Sequence, residues 1–399
     1  MHALAMDLHS ILRRAVEARA SDIHLKLDQP PVVRVDGELA RLDDASPLAP
    51  GDLEAVLAAL TAGAPRRRQL FDDTGELDIA YVEPGLPRFR VNGFRQRGAI
   101  SFAFRAIPTE IPSFDDLHLP AGVKRLADER RGLVLVTGAT GSGKTTTLAA
   151  MLDHINRTRT HHIVTIEDPI EILHEDRSCI VNQREVGLDT EDFAQALRRV
   201  LRQDPDVILI GELRDAETAQ VALQAAESGH LVFSTLHTLD AAETISRLVE
   251  FFPPEKQPQV VSMLAGVLRG VIAQRLLPRA DGGRIPAVEV MVANARIAEL
   301  IREHRTHEVP DAIAAGEFFQ MQTFTRALID LVLAGLVEEE TAADAATNRH
   351  DFTIALEHAK KLAQAKVERP NESAIVGAPE PEGSMGEDDG LPALRIAGS

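Results

Sequence analysis

Leu133-Val134-Leu135-Val136-Thr137-Gly138-Ala139-Thr140-Gly141-Ser142-Gly143-Lys144-Thr145-Thr146 decides how this chain folds. Its first five residues carry no charge and read as a strand buried on both faces. Gly138 to Thr145 then fit G-x-x-x-x-G-K-[ST], directly after that strand and opening a helix through Thr146, Leu148 and Leu152, the context this phosphate-loop motif requires. The glycines let backbone N–H groups of Gly138, Ala139, Thr140, Gly141, Ser142 and Gly143 wrap phosphates, and the helix N-terminus at Thr145 and Thr146 adds positive potential. Lys144 reaches the outer phosphates and the Thr145 hydroxyl ligates Mg²⁺, so the motif predicts ATP and Mg²⁺ as ligands.

Outward from this loop, Ile163 to Ile166, Val207 to Ile210 and Leu231 to Thr235 are further apolar runs alternating with helical segments. Such alternation predicts a mostly parallel sheet covered by helices. A short strand is expected over Ala287 to Val292, then helices over Thr323 to Ala334, Glu339 to Ala346 and Asp351 to Lys361. Ahead of the loop, Leu8, Ile11, Leu12, Val16 and Ala20 fall at helical spacing, and Ile23 to Leu27 and Val32 to Leu39 read as strands, the latter turning at Asp36-Gly37. A helix over Asp52 to Leu60 and strands over Glu76 to Val82 and Arg88 to Arg105 complete a small α+β domain, residues 1–107. Ile107-Pro108-Thr109-Glu110-Ile111-Pro112 breaks both periodicities and begins a linker with a lead-in helix, 108–131. The core is expected over 132–292, a helical region over 293–366 and a disordered tail over 367–399, where seven acidic residues face two basic ones.

Binding a nucleotide is not hydrolysing it; hydrolysis needs a carboxylate at the end of a neighbouring strand to take a proton from water. Asp206-Val207-Ile208-Leu209-Ile210-Gly211-Glu212 supplies one, with Glu212 leaving the carboxyl end of a buried strand, where open α/β sheets bind ligands. Glu167-Asp168-Pro169-Ile170-Glu171 follows another strand to the same edge, with His174 and Glu175 beyond, and carboxylates there hold Mg²⁺ or position water. Gly229 to Thr238 is a strand with His230 and His237 at its ends, the second placed to sense a terminal phosphate.

Composition excludes several classes. Against 61 Asp+Glu the chain has 43 Lys+Arg, a net charge of -18, which argues against coating nucleic acid or an anionic bilayer. No run free of Asp, Glu, Lys and Arg exceeds 12 residues, far short of the ~20 apolar residues of a membrane span. The N-terminus shows no basic start, apolar core and cleavage site, and is expected to be a helix of the mature protein. The single cysteine, Cys179, rules out disulfides and multi-cysteine metal sites within the chain and reads as a small buried residue suited to a reducing compartment.

In this order, the phosphate loop, the acidic box 167–171, Asp204-Pro205-Asp206 leading into Gly211-Glu212-Leu213-Arg214-Asp215, and the His box 229–238 resemble the secretion ATPase superfamily, over roughly residues 10 to 360. Within it the chain is most similar to the PilT-like retraction ATPases of type IV pili, which power twitching motility. Ala20 to Leu25 with Arg34 to Glu38 resembles their PAS-like N-terminal domain; Arg88 to Asn92 with Phe104 to Pro108 resembles its end. The resemblance implies a RecA-like P-loop ATPase domain behind that PAS-like domain and a homohexamer. In it, each nucleotide lies between the two domains of one subunit and meets the N-terminal domain of the next. It implies Arg90 and Arg105 as arginine fingers, Glu212 as general base, Glu167 near the metal and water, and His230 and His237 coupling nucleotide state to domain rotation. As partners it implies an inner-membrane pilus platform protein and other pilus ATPases, at the cytoplasmic face of the plasma membrane, without nucleic acid and without insertion into the bilayer.

Departures from the family pattern are small. Ser234 stands where Gly is usual and Leu213 where Met is common. Gly211 replaces the usual Walker B Asp, as in the family, leaving Mg²⁺ to Thr145 and the acidic box. Arg296 to Glu303 matches the AIRNLIRE element of retraction ATPases at Ile297, Leu300, Ile301, Arg302 and Glu303. Against an extension or type II secretion ATPase stand the roughly 130 residues ahead of the loop, too few for a further N-terminal domain, and the absence of a four-cysteine zinc site. A PilU-like accessory motor shares every box. A nucleic-acid translocase would share the nucleotide site, but no Trp and one Tyr offer no stacking platform. A non-catalytic nucleotide-dependent scaffold is disfavoured by Glu212.

Overall fold

The computed structural model describes residues 7–367 apart from 36, 43–44 and 108–109. The expected turn residue Asp36, Pro108 and Thr109 of the linker, and all but the first residue of the expected disordered tail lie outside the described residues.

Asp7 caps α1 (Leu8–Glu17) by accepting from the Ser10 N–H at 2.7 Å, and the helix buries Leu8, Ile11, Leu12 and Ala15 on one face. It is followed by β1 (Asp22–Lys26), β2 (Val32–Val35), β3 (Glu38–Arg41), α2 (Pro50–Thr61), α3 (Pro65–Thr74), β4 (Glu76–Tyr81), β5 (Phe89–Gln96) and β6 (Ala99–Ala106). The six strands form one antiparallel sheet in the order β3-β2-β1-β6-β5-β4. Alternation puts Ile23, Leu25, Phe89, Val91, Phe102 and Phe104 on the face packed with Leu12, Leu57 and Phe71 in a closed hydrophobic core. Asp22, Arg90 and Arg105 are left on the other face. Helix α3 carries Arg66, Arg67 and Arg68 and buries Phe71 alone, so no apolar stripe announces it.

After α4 (Ala121–Ala127) come β7 (Gly132–Thr137), α5 (Lys144–Thr158), β8 (His162–Glu167), β9 (Ile180–Glu185), α6 (Phe193–Val200), β10 (Val207–Ile210), α7 (Ala216–Glu227), β11 (Leu231–Leu236), α8 (Ala241–Glu250), α9 (Gln257–Val267), β12 (Leu268–Pro278) and β13 (Arg284–Val292). The sheet order is β13-β12-β7-β11-β10-β8-β9, all parallel except β13 against β12. Strands β7, β10 and β11 are buried at every residue, as continuous apolar runs require. Two strands escape sequence reading. Four of the six residues of the edge strand β9 are polar, and β12 starts where α9 stops, at the end of one mainly apolar run from Val260 to Leu268.

The chain ends in α10 (Ala295–Arg302), α11 (Val309–Ala314), α12 (Phe324–Leu333), α13 (Glu339–Ala345) and α14 (Arg349–Val367). Phe324, Leu328, Phe352 and Leu356 pack on Ala273, Leu277, Ile285 and Ala287 of the β12–β13 hairpin, a core separate from the one under the large sheet.

Candidate active site

The phosphate loop links β7 to α5 at the carboxyl end of the sheet. Gly138 has φ +139°, and a Cβ there would meet Gln274 O at 2.4 Å and Ser142 Oγ at 2.6 Å, so this position needs both glycine's freedom and its lack of a side chain. Lys144 Nζ donates to Gly138 O at 2.8 Å and Ala139 O at 3.0 Å, which holds the ammonium at the mouth of the loop. Burial lowers the Lys144 pKa, while the Glu212 and Glu171 carboxylates oppose that shift. The Ser142 hydroxyl is buried without a partner. Beneath the loop, Gln274 Nε2 donates to Thr147 Oγ1 at 2.9 Å and ties α5 to β12.

A cleft of about 730 Å³ opens over this loop. Thr140, Gly141, Gly143, Lys144, Thr145 and Thr146 line it together with Glu167, Asp168, Glu171, His174, Glu212 and His237. Arg105 of the N-terminal sheet closes another side. Phe193, Leu276 and Arg284 also line it; their places in α6 and the β12–β13 hairpin carry no motif, so sequence reading misses them.

Glu212 leaves β10 with its oxygens engaged from two sides. Arg214 pairs with Oε1, and His237 Nε2 lies 3.3 Å from Oε2. The turn that presents it is pinned to β11. Ser234 Oγ donates to Ile210 O at 2.7 Å, Thr235 Oγ1 to Gly211 O at 2.7 Å, and Leu213 N to Thr235 O at 3.1 Å. The hydroxyl at Ser234 thus adds a bond that a glycine would lack. Arg214 also stands 3.8 Å from Asp168, joining Glu212 to the acidic box.

Glu167 is nearly buried, and desolvation raises its pKa, although Thr165 Oγ1 at 2.6 Å and Gln183 Nε2 at 3.0 Å both donate to Oε1. A cation nearby would restore the charged form. Among the described residues no three His, Cys, Asp or Glu side chains converge as a metal site. The hard oxygens of Thr145 and Glu167 fit a cation that takes its remaining ligands from phosphate and water, the habit of Mg²⁺.

Two of the expected residues, His230 and Arg90, do not line the cleft of this chain. His230 precedes β11, its Nδ1 3.0 Å from Ala225 O and its carbonyl accepting from Gly132 N. The length of β11, about 20 Å at ~3.3 Å per residue, separates it from His237, so of the two histidines only His237 is at the cleft. Arg90 is the register partner of Arg105 and is exposed, but Arg105 alone of the pair lines the cleft, held by Asp22 Oδ1 at 2.9 Å.

The family described as "Type II/IV secretion system protein" matches residues 115–342. The type IV pilus retraction ATPase PilT of Pseudomonas aeruginosa is 46% identical over 347 residues, covering 87% of this chain and all of that protein. The type IV pilus ATPase PilU of the same organism is 40% identical over 351 residues, 88% of this chain and 91% of that one. A crystal structure of the pilus retraction motor PilT with bound ADP superposes with a TM-score of 0.81 at 44% identity, covering 87% of this chain and 98% of the other. The chain belongs to the type II/IV secretion system family and has a mixed α/β fold shared with a PilT motor.

Proposed function

We propose that this member of the family is an Mg²⁺-dependent ATPase that works as a homohexamer to retract type IV pili and so drive twitching motility. The observation that carries the reading is the meeting of Lys144, Thr145, Glu167, Glu212 and Arg105 around one cleft in a chain 46% identical to a PilT. The six-stranded unit is read as the PAS-like domain of such motors, ahead of a RecA-like core.

Glu212 accepts a proton from water as the water oxygen bonds to the γ-phosphorus, and the bond from phosphorus to the bridging oxygen breaks to release ADP. Lys144 and the N–H groups at the start of α5 meet the charge that grows on the phosphate oxygens. Mg²⁺, held by Thr145 with Glu167 close by, neutralises charge on the outer phosphates when bound. Arg105 brings a guanidinium from the N-terminal sheet, which makes turnover depend on where that sheet stands. Arg90 is proposed to serve the same site in a neighbouring subunit's cleft.

Retraction rather than extension is supported by α10. Its matches Ile297, Leu300 and Ile301 are the buried residues of the helix; of the three departures, Arg296 and Glu299 are exposed and pair with each other at 3.0 Å, and Ala298 is half-buried. The ring would act on a platform protein at the cytoplasmic face of the membrane. Among the described residues no helix is long and apolar enough to cross a bilayer.

Deleting the gene in its host beside a Lys144→Ala strain tests the reading. Long, abundant pili with twitching lost in both strains are expected, and loss of pili altogether would make assembly or secretion the function. The 40% identity to PilU supports a second reading as an accessory motor. In that case the deletion would spare retraction wherever a second retraction ATPase is present.

A further inference from the structure

Among the arginines of the 88–105 segment, Arg88 stands apart. Its side chain is 13% exposed and its Nη2 lies 2.7 Å from Oε2 of Glu185, itself 5% exposed, 97 residues later at the end of β9. A contact this buried between the N-terminal unit and the ATPase core is unlike a surface ion pair, which water and salt screen almost to nothing. Breaking one partner would leave the other buried and uncompensated. A second arginine reaches the same place. Arg67 of α3 donates through Nη2 to Gly187 O at 2.8 Å and through Nη1 to the Asp78 carbonyl.

What these two arginines hold is the support of the acidic box. Glu185 pairs in register with Glu167, and Val186 N donates to Glu167 O at 2.8 Å. The same Oε2 of Glu185 that meets Arg88 also accepts from Ile170 N at 3.3 Å, inside the loop that carries Asp168 and Glu171 to the cleft. On the other side of the latch, Arg88 O accepts from Ile107 N at 2.8 Å, next to the β5–β6 pair that bears Arg90 and Arg105. One ion pair therefore joins the ladder carrying both arginines to the end of the strand carrying Glu167 and to the loop that follows it. The Arg88 Nε is buried without a partner, a standing cost that favours release of the pair when the units shift.

We propose that Arg88 and Glu185, backed by Arg67 on Gly187, form a latch through which the N-terminal sheet positions Glu167 and the loop that follows it for turnover. Both are positioning residues, since neither lines the cleft. The inference rests on the ATPase reading of that cleft.

Steady-state ATPase of the full chain tests it in Arg88→Ala, Arg88→Lys, Glu185→Gln and the reciprocal exchange Arg88→Glu/Glu185→Arg. Alongside, spin-label distances are measured between cysteines placed at the exposed Glu17 and Glu227, with labelled chains diluted into unlabelled ones. In Arg88→Ala and Glu185→Gln, kcat should fall on the order of tenfold with KM for ATP within about twofold. The interdomain distance should broaden in the same variants, and Arg88→Lys and the exchange should recover both readouts in part. Unchanged kcat in both single variants, or a fall in kcat with no change in the distance distribution, overturns the latch. If the parent chain itself releases no phosphate, the ATPase reading fails separately. The latch is then judged on distances alone, and an unbroadened Arg88→Ala distribution rejects it.

Discussion

Nε2 of His237 stands 3.3 Å from Oε2 of Glu212, across the ends of the adjacent parallel strands β11 and β10. With Arg214 on the other oxygen, the carboxylate is fixed in direction before any substrate arrives. Glu212→Gln keeps the shape and removes the proposed proton acceptor. It is expected to lower kcat by about 10²–10⁴-fold while nucleotide still binds. Phosphate release beside titration with a fluorescent nucleotide checks this, and turnover at the parental rate would place the base elsewhere.

Two glycines of the phosphate loop should differ when each becomes alanine. At Gly138 a Cβ collides with Gln274 O and the Ser142 hydroxyl, whereas at Gly141, with φ +80°, it meets open space. Gly141→Ala should cost the strain of a left-handed residue, about 1–2 kcal/mol. Gly138→Ala should cost more and also lose nucleotide affinity, because the loop must move. Equal thermal midpoints and equal affinities for the two variants would contradict the geometry.

Arg105→Ala removes the one guanidinium that, among the described residues, the N-terminal sheet puts on the cleft, and frees Asp22 Oδ1 from that arginine. Turnover should fall by 10³-fold or more, on the order of an arginine finger, with binding of ADP little altered. A matching loss of ADP affinity would mean that Arg105 shapes the ground state instead.

A buried carboxyl and a half-buried imidazole should tilt stability against pH in opposite directions. Desolvation pushes the Glu289 carboxyl from 4.5 up to about 7 and the His174 imidazole from 6.5 down to about 4. Between pH 4.5 and about 7 the folded chain holds more protons at Glu289 than the unfolded chain, so this residue's contribution falls as pH rises. Between about 4 and 6.5 the unfolded chain holds more at His174, whose contribution therefore rises with pH. Glu289→Gln retains an acceptor for the Ala241 N–H and should leave a steeper rise, and His174→Gln a steeper fall. Urea midpoints across this range read both slopes; identical profiles for the two variants would refute the assignment.

Much of this site is legible in the chain because its parts sit where strands end. Strands β7, β8, β10 and β11 are apolar enough to be read directly, and each delivers its motif, from Gly138 to Glu167, Glu212 and His237, to the same sheet edge. What stays hidden has physical causes. Phe193, Leu276 and Arg284 reach the cleft from elements with no motif of their own. Strand β12 is masked because helix and strand share one apolar run, and β9 because an edge strand needs few apolar residues. His230 shares a sequence box with His237, yet a strand separates its ends by its whole length, so neighbours in sequence become opposites in space. Arg88 and Arg90 are two residues apart, and nothing in their spacing tells that one is locked against Glu185 and the other exposed.

Strand β12 also bears on how such a chain can be cut and joined. It lends Val271 and Ile272 to the core beneath the large sheet and Ala273 and Leu277 to the core formed with the last helices, while Gln274 braces α5. The N-terminal sheet, by contrast, encloses an interior of its own. Recombination ahead of α4, whose Val123, Leu126 and Ala127 belong to the large core, can exchange the N-terminal sheet without opening that core, at the loss of Arg88 and Arg105. Removing the last helices would bare one side of the hairpin beside the phosphate loop, so heritable variation in architecture has an open door at one end of this fold and a closed one at the other.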